Sequence, residues 1–92
     1  VSVKVRVPSP LRQLTGGASE VEVEGATVAE ALGDLEQRHP GFQPRIFESD
    51  GSLRHFVNIY RNDDDIRSSG GLAATLEAGD LLSIVPAVAG GA

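Results

Sequence analysis

The chain has 92 residues, of which 40% are hydrophobic and only 4% aromatic, with a formal net charge of -5 and no cysteine. That length supports one domain with a core of Val, Leu, Ile and Ala, and the lack of cysteine excludes disulfides, thiolate metal sites, iron–sulfur clusters and a catalytic thiol. The acidic balance argues against unaided nucleic-acid binding, which draws its affinity from basic groups on phosphates, and suits a partner with a basic face.

Val1, Val3, Val5 and Val7 alternate with Ser2, Lys4 and Arg6, the period of a half-buried strand. Pro8 and Pro10 end it. Leu11 and Leu14 fall in a short connector of possible helical form, and Gly16-Gly17 reads as a turn. Val21 and Val23 then alternate with Glu20, Glu22 and Glu24, which predicts a second strand in a hairpin with the first. Gly25-Ala26 breaks that strand. Thr27 and Glu30 have the spacing of a capping box, and Val28, Ala31, Leu32 and Leu35 share one helical face. Arg38 and His39 sit where a helix dipole is negative, and Pro40-Gly41 stops the helix.

Residues 41–54 show no clear period, and Ile46 and Phe47 are expected to tuck in as a short turn. His55 to Arg61 predicts a third strand, with Val57 and Ile59 on one side and Phe56, Asn58 and Tyr60 on the other. Asn62-Asp63-Asp64 is a turn signal, and Asp65-Ile66-Arg67 has the length of a short edge strand. Gly70-Gly71-Leu72 opens a helical turn through Leu76, Gly79-Asp80 reads as a turn, and Leu81 to Pro86 forms the last strand. Ala87 to Ala92 has no charge and little bulk.

Strand, strand, helix, strand, short strand, strand is an α+β order, best met by one sheet wrapped around one main helix. The expected inward set is Val3, Val5, Val7, Val23, Val28, Leu32, Leu35, Val57, Ile59, Leu82 and Ile84. The open sheet face would carry Lys4, Arg6, Phe56, Asn58, Tyr60, Ser83 and Val85. Phe56, Tyr60 and Val85 are more apolar than a solvated face requires, which marks a contact surface. Residues 1–86 are expected to form the domain and 87–92 a flexible C-terminal tail. Gly90 and Gly91 have no side chain to pack and the largest entropy to lose on ordering, so the end of the chain reads as a working part that enters a narrow channel.

The other motifs take plain readings. Gly16-Gly17 and Gly70-Gly71 lie between elements and lack the Lys-Ser/Thr of a phosphate-binding loop. Asp63-Asp64-Asp65 lacks the spaced ligands of a calcium loop, and His39 and His55 lack metal-helix spacing. No nucleophile elbow is present. The chain is therefore expected not to be an enzyme. No apolar run approaches the ~20 residues of a membrane span and no stretch reads as a signal peptide, so the cytoplasm is the expected location.

His55-Phe56-Val57-Asn58-Ile59-Tyr60, Asn62-Asp63, Ser69-Gly70-Gly71-Leu72-Ala73 and Pro86-Ala87-Val88-Ala89-Gly90-Gly91 carry a resemblance over almost the whole chain. The sequence resembles the ThiS/MoaD family of ubiquitin-like sulfur carriers, which have the β-grasp fold, and is most similar to the carriers of actinobacterial cysteine biosynthesis. The resemblance implies that an adenylating enzyme, similar to ubiquitin-activating enzymes, binds the sheet face and draws the tail into its ATP site. Gly91, preceded by Gly90, would be adenylated and converted to a thiocarboxylate. A biosynthetic enzyme would then accept the sulfur, for cysteine or alternatively for thiamin, molybdopterin or a secondary metabolite. Contact with the partner would fall on Phe56, Tyr60, Val85, Pro86, Ala87, Val88 and Ala89. The chain would hold no stable cofactor, because ATP is used by the partner. Family members end at the second glycine, whereas Ala92 follows here, so a peptidase that removes Ala92 is a further expected partner. The alternative is a protein modifier conjugated through the same diglycine.

Overall fold

The computed structural model describes residues 1–54 and 57–86. The valine alternation forms β1 (Ser2–Arg6), and the Val/Glu alternation forms β2 (Glu20–Glu24), paired antiparallel with Val3 opposite Val23 and Val5 opposite Val21. Between them Ser9–Thr15 is a 3-10 helix, entered through Pro8 and ended at Gly16. The main helix α1 spans Val28–Arg38. Thr27 Oγ1 accepts from the Glu30 N–H at 3.2 Å and Glu30 Oε1 accepts from the Ala26 N–H at 2.9 Å, so the expected cap forms with Glu30 reaching one residue further back. Gly25 lets β2 run close over this first turn: a Cβ there would lie 2.5 Å from the backbone nitrogen of Ala31.

After α1, the Glu36 carboxylate accepts from the N–H groups of Gly41 at 3.1 Å and Gln43 at 2.7 Å. This turns the chain into the short helix α2 (Gln43–Ile46) and buries Phe42 and Ile46. Gly41 has φ +115, and its α-carbon lies so close to Leu14 that a Cβ would sit 2.7 Å from Leu14 Cδ2. β3 (Val57–Arg61) follows, then β4 (Asp64–Asp65), 3-10 turns at Ile66–Ser68 and Gly71–Ala73, and β5 (Leu81–Pro86).

The sheet order is β2-β1-β5-β3-β4. β1 and β5 are parallel and the other pairs antiparallel, so the last strand in chain order lies at the centre. All eleven residues expected to face inward are buried, and they are joined by Leu11, Ala31, Phe42, Ile46, Ile66, Ala74 and Leu76. A side chain such as Ile59 or Leu82, fully withdrawn from water, contributes about 1.5–3 kcal/mol by burial alone.

Two expectations need correction. Asp65-Ile66-Arg67 is not an edge strand. Pairing stops at Asp65, whose Oδ1 accepts from the Arg67 N–H at 2.9 Å and starts the 3-10 turn that drives Ile66 into the core. The helical turn from Gly70 ends at Ala73 rather than Leu76, because Val28 N–H donates to Ala74 O and Leu76 N–H to Ala26 O. These bonds hold the segment extended across the start of α1. Of the predicted third strand, His55 and Phe56 lie outside the described residues.

Candidate functional site

One face of the sheet packs on α1 and the other is open. Register fixes the neighbours on the open face. Arg6 lies beside Glu20 on one flank and Ser83 on the other, Ser83 is beside Tyr60, and Val85 is beside Asn58. Lys4 lies between Glu22 and Leu81. Val85 is 42% exposed, and among the described residues only Val1 is another large hydrophobic side chain so open to solvent. Tyr60 is half-buried. Beside them is a shallow hollow of about 390 Å³ whose lining includes Arg6, Pro8, Arg12, Tyr60, Ser83 and Val85. Arg12 is held there by its Nε, which donates to Val7 O at 3.0 Å, while Arg6 lies 3.7 Å from Glu20.

The face is thus zoned. Its β2 margin is acidic, with Glu20, Glu22 and Glu24 in a row, and its β1–β5–β3 centre combines Lys4, Arg6 and Arg12 with Tyr60 and Val85. An exposed apolar centre ringed by charge suits a protein partner, with the charges setting orientation. A second hollow of about 330 Å³ lies among Gln43, Pro44, Phe47, Glu48, Ser49, Gly51 and Arg54. There Arg54 donates to Pro44 O at 2.9 Å and pairs with Glu48 at 3.3 Å.

Of the residues expected to meet a partner, Tyr60 and Val85 lie on the open face, and Pro86 ends β5 opposite Val57. Phe56, Ala87, Val88, Ala89, Gly90 and Gly91 lie outside the described residues. The sequence reading missed Pro8, Arg12 and Arg67. Pro8 continues the outward row of Lys4 and Arg6 by period two, a signal that was available. Arg12 and Arg67 reach this region through bonds that no local pattern announces. Among the described residues no group of His, Cys, Asp or Glu could hold a metal ion, and no helix is long and apolar enough to cross a membrane.

The profile of the ThiS family matches residues 5–91. The sulfur carrier protein CysO of Mycobacterium tuberculosis is 45% identical over 93 residues, covering 99% of this chain and 100% of that protein. Its crystal structure superposes with a TM-score of 0.89 over 94% of this chain and 99% of the other. CysO in the crystal structure of the Amycolatopsis orientalis BexX/CysO complex is 49% identical, with a TM-score of 0.90 over 97% of this chain and 99% of the other. Small archaeal modifier protein 1 of Haloferax volcanii is 39% identical over 72 residues, 77% of this chain and 78% of that protein. The sheet and helix are those of the ubiquitin-like β-grasp fold.

Proposed function

The chain belongs to the ThiS family of sulfur carrier proteins, and we propose that it carries sulfur as a thiocarboxylate on the C-terminal carboxyl of Gly91. It is a carrier and not a catalyst. The observation that carries the proposal is the place of β5. The strand that leads into the Pro86–Gly91 segment is the central one, and its last described open-face side chain, Val85, is exposed beside Asn58. A partner seated on this face is therefore seated at the root of the tail.

In the proposed cycle the activating enzyme covers Tyr60, Val85 and the rest of the open face and takes residues 87–91 into its ATP site. Five residues beyond Pro86 span at most ~18 Å. The Gly91 carboxylate attacks the α-phosphorus of ATP, and pyrophosphate leaves. A sulfur donor then attacks the acyl carbon of the adenylate, and AMP leaves. Positioning and charge stabilisation come from the partner, so the carrier needs no base and no thiol. Likeness to CysO favours cysteine synthesis as the destination in the cytoplasm, ahead of thiamin, molybdopterin or a secondary metabolite. The crystallised BexX/CysO pair supports a carrier that docks on a partner protein.

In this reading Ala92 is removed first, because its Cβ and the extra residue move the reactive carboxyl out of register. Chains ending at Gly91 and at Ala92 are compared by pyrophosphate exchange with an adenylating enzyme, followed by intact mass. The form ending at Gly91 exchanges and gains the mass of an oxygen-for-sulfur replacement, whereas the form ending at Ala92 does neither. Equal exchange by both forms removes the processing step. Exchange by neither removes the carrier cycle.

A second reading is favoured by the 39% identity to a small archaeal modifier protein. The same acyl-adenylate would be captured by a target lysine. Conjugates of the chain with other proteins in cells would mark this outcome.

A further inference from the structure

Arg67 joins the sheet edge to the beginning of β3. Its Nη2 donates to Val57 O at 2.8 Å and to Arg54 O at 3.0 Å, and its Nη1 donates to Asn58 Oδ1 at 2.7 Å. The need arises from the length of β4. That strand has two residues and pairs only with Tyr60 and Arg61, so Val57, Asn58 and Ile59 have a strand neighbour on the β5 side alone. Backbone acceptors on their other side would be left to water. Arg67 takes the place of the missing strand. It can do so because the 3-10 turn Ile66–Ser68 is anchored by buried Ile66 and capped by Asp65.

The acceptors have a common location. Asn58 is the strand partner of Val85. Arg54 and Val57 flank His55 and Phe56 in sequence, and Arg54 O also accepts from the Val57 N–H at 3.1 Å. One planar guanidinium thus ties Arg54 and Val57 to Asn58, the open-face neighbour of Val85. A lysine ammonium is a point charge on a flexible stem and cannot reproduce that fork.

We infer that Arg67 is a positioning residue for docking of the activating partner. It holds Arg54, Val57 and Asn58 in place before the encounter, so that ordering these three residues is not left to binding. The inference rests on the proposed carrier function and deepens it by naming the group that presets the face.

The test uses the chain ending at Gly91, as wild type, Arg67→Lys and Asn58→Ala, with pyrophosphate exchange read as KM and kcat and amide hydrogen exchange read at Val57. Arg67→Lys raises KM about tenfold with kcat unchanged, and speeds exchange of the Val57 amide by about the same factor, on the scale of losing charge-assisted hydrogen bonds. Asn58→Ala, which removes only the side-chain acceptor and keeps the fold should the lysine variant lose it, raises KM roughly two- to threefold. Wild-type KM in both variants overturns the role of Arg67, and so does a fall in kcat at unchanged KM. A wild-type chain that is not adenylated at all overturns the carrier reading and this inference with it, an outcome separate from a variant that merely matches wild type.

Discussion

Asn62 and Asp80 tie the turn after β3 to the turn before β5. Asn62 Nδ2 donates to Asp80 Oδ1 at 3.1 Å, Asn62 Oδ1 accepts from the Leu81 N–H at 3.1 Å, and Asp80 Oδ2 accepts from the Glu77 N–H at 2.9 Å. The Asp80 carbonyl also accepts from the Lys4 N–H at 3.0 Å, so three strands meet at this pair. Asn62 pays for its place with φ 57, and among the described residues it is the only non-glycine with a positive φ.

Replacing Asn62 separates the two effects. Asn62→Gly keeps the left-handed backbone and loses the side-chain bonds, which costs about 1–2 kcal/mol. Asn62→Ala loses the same bonds but keeps a Cβ in that region, which glycine lacks, so it is less stable than the glycine variant by about 1 kcal/mol. Urea unfolding of the three proteins measures both steps. Equal stability of the two variants would show that backbone strain is not involved.

Stability should fall at acid pH through three aspartates. The Glu24 N–H, reinforced by Arg38, holds the Asp34 carboxyl below its ordinary value of 3.8. The Ser52 hydroxyl and N–H do the same for Asp50, and the Glu77 N–H, with Asn62 and Arg61, for Asp80. Burial opposes each shift without reversing it. The folded chain therefore binds these protons less readily than the unfolded chain. The stability they contribute is complete above the ordinary value and is lost as pH falls through the lower folded values. Urea midpoints from pH about 6 down to about 2 should drop most steeply below about 4. Asp34→Asn and Asp80→Asn should each flatten that limb. A limb of unchanged slope in both variants would place the acid sensitivity elsewhere.

Much of the fold is legible because short-range rules and tertiary packing agree. The alternation of Val1 to Val7, the Val/Glu run at 20–24 and the Thr27–Glu30 cap each have a period or a spacing that holds in the structure. Phe42 and Ile66 are harder to read. Each lies in a segment without a period, and each is buried by a bond made elsewhere, from Glu36 or from Asp65. The open face follows the same division. Tyr60 and Val85 follow from period two, whereas Arg67 matters through acceptors nine to thirteen positions away, and its importance depends on β4 being only two residues long.

Val85→Asp tests the proposed docking face. At 42% exposure the new carboxylate stays solvated in the free chain, so unfolding free energy should change by no more than about 0.5 kcal/mol. In a complex the same charge would be buried without a partner, and KM for the activating enzyme should rise roughly tenfold or more. Wild-type kinetics would remove Val85 from the interface.

Lys4 offers a test between the two functional readings. It is the only lysine in the sequence, the other seven basic side chains being arginines, and it is exposed on the open face. Any isopeptide link between two copies of the chain must therefore use Lys4. Lys4→Arg preserves the charge and should leave carrier activity near wild type. It should also abolish any self-linked ladder seen in cell extracts. A ladder that persists in this variant would contradict an isopeptide origin.

The central position of β5 bears on how the protein is made. Until that strand emerges from the ribosome, the β1–β2 hairpin and the β3–β4 pair have no common seam, and the greasy side of each lies bare. Closure of the sheet must await synthesis of the segment that leads into the diglycine. A nascent or truncated product that stops short of β5 lacks its keystone, and should be recognised by proteases as unfolded before it can occupy a docking partner unproductively.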